Sequence, residues 1–307
     1  MLLRSRPAVL EDLLDFQDGL ALPYGPAQKD LLPAAWAGLL SQPSIWSLVV
    51  EDMDRPAGRR SVFYSMTAFV SAEFKDELLS GTIPFMSGHL VRRYLEVGNE
   101  PLKREEMIQV QEGAGLNSIN LHSVCPIVPA GQNAPIEIGD YLARQNFEAM
   151  RGYRFDELLR EVFSSEALQS YLGGGWRVRQ GHGDEPTLKN PWLLGFNRAE
   201  ARETSGARMA SMFVSYPIRL GLRRNHRELL QAALDGLTDD EMADRFSVSL
   251  SAVKKRWLAV YEHVDKVFPG LLPFDVARTE KGRGAERRRH LLNFLRDHPE
   301  EFRSLED

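Results

Sequence analysis

The residues best suited to chemistry lie late in the chain. Ser251, Lys254, Lys255, Arg256 and Leu258 sit close together in a segment, about 249–263, where Val253, Trp257, Val260 and Val264 recur at helical spacing. At about 100° per residue, those four apolar side chains form one stripe that must be buried. Ser251, Lys255 and Leu258 then share the opposite face, flanked by Lys254 and Arg256. A small, polar, basic face suits a DNA major groove roughly 12 Å wide, where cations neutralise phosphates and short side chains let the backbone approach base edges. Ser251, Lys254, Lys255 and Leu258 are expected at bases or groove walls, and Arg256, Arg223 and Arg224 at phosphates.

Two further helices are needed to hold that face out. Leu229, Leu230, Ala233 and Leu237 are at helical spacing, and Gly236 supplies a turn. Thr238-Asp-Asp-Glu241 has the form of a capping box, in which hydroxyl and carboxylate each satisfy a free amide of a new helix. That helix, Asp239 to Phe246, turns Met242, Ala243 and Phe246 inward, and Ser249 is placed to cap the third. The segment resembles the LuxR-type helix-turn-helix. Glu228-Leu-Leu, Ala233-Leu-Asp-Gly236, Glu241-Met-Ala243 and Ser249-Leu-Ser-Ala-Val253-Lys254 follow that family's E-V-L, A-x-G, E-I-A and S-x-x-T-V-K pattern. The resemblance covers about a sixth of the chain. It implies scaffold, positioning and recognition helices, acting in dimers on double-stranded DNA. Ala252 replaces the family's threonine and Arg256 its histidine. The promoter-reading helix-turn-helix of sigma factors is a second, more distant likeness.

The rest of the 307 residues is of mixed character. Apolar residues make up 43% and charged ones 26%, an ordinary globular balance, and the net charge of −5 argues against coating nucleic acid by overall charge. There is one cysteine, no apolar run of membrane-spanning length and no signal-peptide pattern, so a cytoplasmic protein is expected. Leu10 to Phe16 and Lys29 to Leu40 read as helices. Ser44 to Glu51, Ser61 to Val70 and Ile119 to Val128 read as strands. Helices are expected over Ile138 to Met150 and Asp156 to Tyr171, the latter stopped by Gly173-Gly174-Gly175. Strands are expected from Trp176 and over Arg208 to Tyr216, with a loop from His182 to Pro191.

The strand, helix and Arg151-Gly152-Tyr153-Arg154 order of this first part faintly resembles the GNAT acetyltransferase fold. The resemblance implies an acyl-CoA pyrophosphate held on backbone amides at a helix start, in an R/Q-x-x-G-x-G/A turn. The candidate turn is Gln111-Glu112-Gly113-Ala114-Gly115. Val110 stands where Arg or Gln is required, and a strand rather than a helix follows. A degenerate fold serving as a sensor or dimerisation module is therefore expected. H-E-x-x-H, C-x-x-C and G-x-x-x-x-G-K-[ST] patterns are absent. His182 beside Asp184 and Glu185 has ligand-type atoms but no evident partner. Cys125 reads as a small hydrophobe, and Trp46, Phe63, Tyr64 and Phe69 as core. The basic stretch Arg278 to His290, six Arg or Lys against two Glu, either tracks DNA or begins a helix through Leu291, Leu292 and Leu295.

The expectation is an α+β domain over 1–215 with a mixed sheet, then an all-α helix-turn-helix domain over 216–270, then a basic segment and C-terminal helix over 271–307. The function expected is sequence-specific DNA binding as a homodimeric, one-component transcriptional regulator. It has no catalytic residues, metal or cofactor, and a small-molecule effector is expected on the first domain. The alternatives are a GNAT-like acyltransferase or small-molecule-binding protein with a helical assembly module, and a protein-interaction adaptor.

Overall fold

A computed structural model describes residues 1–16, 26–81, 85–128, 133–204, 206–214, 216–273 and 283–303. Residues 278–282 of the basic stretch lie outside them. The chain forms two compact units, Met1–Glu148 with Arg154–Val214, and Ala149–Tyr153 with Ser215–Asp307. Among the described residues no helix is long and apolar enough to cross a membrane.

Unit 1 runs β1 (Leu3–Arg6), α1 (Leu10–Phe16), α2 (Pro26–Leu40), β2 (Ile45–Asp52), β3 (Ser61–Val70), α3 (Ala72–Leu79), α4 (Met86–Glu96), α5 (Arg104–Glu112), β4 (Leu116–Val124) and α6 (Ile136–Met150). It continues with β5 (Phe155–Val162), α7 (Ser165–Gly173), β6 (Arg177–Gln180), β7 (Trp192–Asn197) and α8 (Arg198–Glu203). The strands form one sheet in the order β1-β2-β3-β4-β5-β7-β6. Among the described residues only β4 and β5 are parallel neighbours. A parallel pair needs a crossover, and α6 supplies it. On one face Val49, Tyr64, Met66, Ile119, Leu121 and Leu159 pack with Trp36, Phe74 and Leu90 of the helices. On the other, Leu48, Val50, Val62 and Phe63 pack against Ile138 and Leu142 of α6. The interior strand β3 is buried almost throughout because both its faces are covered.

Two expectations of local structure fail here, and three helices were not foreseen. The run from Asp156 is not one helix but β5 followed by α7. Its Leu, Glu and Arg favour a helix, yet the segment is hydrogen-bonded on both sides, to β4 and to β7, and that pairing overrides propensity. Ser164 then accepts from the Ala167 N–H and starts α7. Arg208 to Tyr216 contains a 3₁₀ turn, Arg208–Phe213, rather than a strand. Helices α3 to α5, inserted between the antiparallel neighbours β3 and β4, had no counterpart in the sequence reading.

Unit 2 contains α9 (Arg224–Leu234), α10 (Asp239–Arg245), α11 (Leu250–Val267) and α12 (Arg283–Asp297). Gly236 takes φ +90° in the first turn, where a side chain would be strained. Thr238 and Glu241 form the reciprocal cap of α10, and Ser249 caps α11. Val253, Trp257, Val260 and Val264 enter a core with Leu229, Leu230 and Met242. Leu291, Leu292 and Leu295 of α12, the helix that the basic stretch leads into, join it. A second device is Glu301, fully buried, whose carboxylate accepts from the backbone N–H groups of Arg219 and Leu220 at 3.0 and 2.8 Å. Glu301→Ala orphans both donors and is expected to cost about 1–3 kcal/mol. Denaturant unfolding followed by far-ultraviolet circular dichroism checks this; an unchanged midpoint would refute it.

Candidate active site

The site begins where the sheet stops being continuous. β4 and β5 pair from Leu116↔Phe155 to Asn120↔Arg160 and no further. Beyond that register β4 stays on β3, with His122 opposite Met66 and Val124 opposite Tyr64. β5 stays on β7, with Glu161 opposite Leu193 and Val162 opposite Trp192. Both strands of the parallel pair end on this side, and crevices at the carboxyl ends of diverging strands are where such sheets bind ligands. The ladder of β3 skips from Asn120 to His122, leaving Leu121 as an extra residue that bends β4 at the divergence. The Ser87 hydroxyl, at the start of α4, donates to the Leu121 carbonyl at 2.5 Å and fixes that bend.

Glu161 is the first β5 residue past the last β4 pair. Its carboxylate accepts from the Met86 N–H at 2.7 Å, at the first turn of α4. It lines a narrow pocket with Leu78, Met86, Gln180, His182, Pro191 and Leu193. Burial among apolar walls pushes its pKa up to about 8, against the opposing pull of the Met86 N–H. A carboxyl that titrates near neutrality in a pocket has the properties of a general base. Gln180 is held by donating to the Leu78 carbonyl at 2.7 Å. The loop after β6 is held by Trp192 Nε1 donating to the His182 carbonyl at 3.1 Å.

Two neighbours are unsuited to acid–base or nucleophilic work. His122 is buried, ringed by Trp36 and Tyr64, and burial lowers its pKa to about 3, so it stays neutral. Burial pushes the Cys125 thiol up, and its Sγ lies 3.4 Å from the Val62 carbonyl. The pair His182 and Asp184–Glu185 does not converge: among the described residues no cluster of three or more such side chains could hold a metal. The turn Gln111–Gly115 lies at the end of α5 and enters β4 at its N-terminal end, opposite to the divergence, so it is not the expected pyrophosphate turn. The connection that does follow β4 includes residues 129–132, outside the described ones.

The residues expected to read DNA are all in unit 2. Ser251, Lys254, Lys255 and Leu258 are exposed on α11. The Arg256 guanidinium lies over the Phe246 ring, 5.5 Å from its centroid. Arg223 is the N-cap position of α9, and Arg224 pairs with Glu228 at 3.0 Å. In the basic stretch, Arg287 pairs with Asp265, and Arg288 pairs with Asp239 at 2.7 Å while covering Trp257. Helix α10, which would run beside the phosphates, opens with Asp239, Asp240 and Glu241, and like charge repels a phosphate backbone.

No protein-family model matches the chain, and no curated protein matches it. Solved structures do. Arabidopsis thaliana NAA60 in complex with acetyl-CoA is 12% identical, with a TM-score of 0.39, over 64% of this chain and 98% of that one. FeeM, an N-acyl amino acid synthase from uncultured soil microbes, is 12% identical, with a TM-score of 0.35, over 68% and 97%. The spermidine/spermine N-acetyltransferase SpeG from Vibrio cholerae is 10% identical, with a TM-score of 0.36, over 66% and 99%.

Unit 1 is an α+β domain, a mixed seven-stranded sheet with helices around it. The expectation of a DNA-binding transcriptional regulator without enzymatic activity is overturned. The similar structures are an acetyl-CoA complex, an N-acyl amino acid synthase and an N-acetyltransferase, none of them a DNA-binding regulator. Sequence reasoning missed Glu161 altogether, because the Asp156, Glu157, Arg160 and Glu161 of Phe155–Val162 look like the solvated side of a helix.

Proposed function

We propose that unit 1 transfers an acyl group from a thioester to an amine, with Glu161 as the general base. The observation that carries the reading is the Glu161 carboxyl, raised to about 8 in a pocket beside the point where β4 and β5 separate. The donor, an acyl-CoA in the simplest case, supplies an activated carbonyl and a thiol leaving group. An amine is protonated at neutral pH and is not a nucleophile until it loses that proton. Glu161 takes the proton, the nitrogen forms a bond to the acyl carbon, and the carbon–sulfur bond breaks. The nitrogen sheds a second proton as the amide forms, the departing thiolate takes up one proton, and Glu161 returns its own to solvent, so an ammonium and a thioester give an amide, a thiol and a net proton. The apolar walls from Leu78, Met86 and Leu193 keep the carboxyl basic enough for the task.

Release of free thiol from acetyl-CoA and longer acyl-CoA donors, against a mixture of primary amines, tests the proposal. The rate is expected to rise between about pH 6 and 9 with one limb near the Glu161 pKa, then level off. No thiol release above buffer with any donor would overturn it.

A further inference from the structure

We infer that unit 2 contains an acid-sensitive latch, in which His226 and His263 hold the start of α9 and the segment before it against α11. The latch belongs to unit 2 alone and is independent of the chemistry assigned to unit 1. Residues 219–222 enter the unit 2 core through Leu220 and Leu222, both fully buried. Leu220 is held from two sides. Its N–H donates to the Glu301 carboxylate at 2.8 Å, and its carbonyl accepts from His263 Nε2 on α11 at 2.7 Å. His226, in the first turn of α9, is buried and packs on the His263 ring, with the centroids 5.3 Å apart.

His226 keeps that place only while it is neutral. Its Nδ1 is buried and has no hydrogen-bond partner among the described residues. Protonation would set a hydrogen and a positive charge there without an acceptor. His263 and Arg223, the charged groups that act on it, both oppose a further positive charge. The carboxylates of the surrounding elements are engaged or turned to water. On α9, Glu228 pairs with Arg224, while Arg227 donates to the Leu222 carbonyl at 2.5 Å. On α11, Asp265 pairs with Arg287 of α12, and Glu262 is exposed. On α12 itself, Glu286 and Asp297 are exposed. Further on, Glu300 pairs with Arg151, and Glu301 is taken up by the Arg219 and Leu220 N–H groups. Burial first, then His263 and Arg223, lower the His226 pKa to about 4 from its ordinary 6.5. Once the start of α9 leaves α11, His226 meets water and regains the ordinary value. Between those two values the released form takes up a proton that the packed form refuses. The packed form therefore loses stability as pH falls through that window.

Peptide-resolved hydrogen exchange of the full chain at about pH 7.5 and about pH 5, corrected for intrinsic exchange chemistry, tests this. Protection of the α9 amides is expected to fall about thirtyfold from the higher pH to the lower. His226→Phe keeps an aromatic ring against His263 and cannot take up the proton. Its α9 protection should change by less than about threefold over the same range. Equal protection of the wild type at both pH values, or a variant that loses as much as the wild type, would overturn the inference. Should the variant not fold, the wild-type imidazole resonances decide. A His226 ring still neutral at about pH 5 supports the latch, and one already protonated there overturns it.

Discussion

Replacing Glu161 by glutamine is expected to lower acyl transfer by about a hundred- to a thousandfold and, in the same molecule, to raise stability at alkaline pH. The two effects have one cause. Burial holds the carboxyl at about 8 instead of its ordinary 4.5. Between those values the folded chain keeps a proton that the unfolded chain has lost. Stability therefore falls as pH rises through that window and stays low above it. The charged carboxylate at pH 9 should cost on the order of 5 kcal/mol relative to pH 4. Glutamine has the same shape, can still accept from the Met86 N–H and never acquires the charge. The variant should match the wild type near pH 4.5 and melt several degrees above it at pH 9. The pH–rate limb near 8 should disappear with it. A variant that keeps wild-type turnover would show that Glu161 is not the base. One that loses activity but gains no alkaline stability would show that the carboxyl is not desolvated as the pocket implies.

The contrast between Glu161 and the residues that stood out in the sequence shows what a linear chain reveals. Strands β2 and β3 were legible because aromatic and β-branched residues are packed on both faces, and such runs have few other uses. Helices α9 to α11 were legible because Thr238, Glu241 and Ser249 cap them and Gly236 turns between them, all within a few residues. These are local signals. β5 carries none: its helix-favouring Leu158, Leu159 and Glu161 are extended only because β4 and β7 flank them, and those partners lie more than thirty residues away on either side. The base was illegible for the same reason. Its pocket is closed by Leu78 and Met86 from the insertion between β3 and β4, by Gln180 from β6 and by Leu193 from β7. Four distant stretches must meet before the carboxyl loses its water.

The exposed lysines of α11 illustrate the opposite error. Their pattern is sharp because a buried stripe of Val253, Trp257, Val260 and Val264 forces everything polar onto the other side. A clean amphipathic face is a consequence of packing and does not by itself specify a ligand. The charge around it is mixed. Asp239 and Asp265 engage Arg288 and Arg287, and Glu262 is exposed further along the same helix.

Arg179→Met is expected to destabilise unit 1 by about 3–5 kcal/mol, the largest single loss of stability foreseen here. Arg179 joins β6 to β5 and to α8 beyond β7. Its Nε reaches Glu157 on β5 at 2.6 Å, and its two terminal nitrogens grip Glu200 on α8. All three side chains are mostly buried, at 17%, 8% and 14% exposure, so each lone charge would be costly. Burial alone would raise the Glu200 carboxyl, and the Arg179 guanidinium overrides it, leaving the group below its usual range. The geometry depends on Gly195 of β7. A Cβ there would lie 2.4 Å from Arg179 Nε and 2.6 Å from Glu157 Oε1, so no larger residue leaves room for the pair. Gly195→Ala should therefore weaken the same network by about 1–3 kcal/mol through displacement rather than loss of charge. The depressed Glu200 pKa gives the wild type stability above the ordinary carboxyl range that is lost as pH falls through the folded value. Arg179→Met should lack that acid-dependent part. Because the cost comes from stranded carboxylates, Arg179→Met with Glu157→Gln and Glu200→Gln should recover most of it. Urea unfolding at pH 7 measures all three. A single variant within about 1 kcal/mol of the wild type, or a triple variant no more stable than the single one, would mean that the network does not hold β5, β6 and β7 together on the Glu161 side of the divergence.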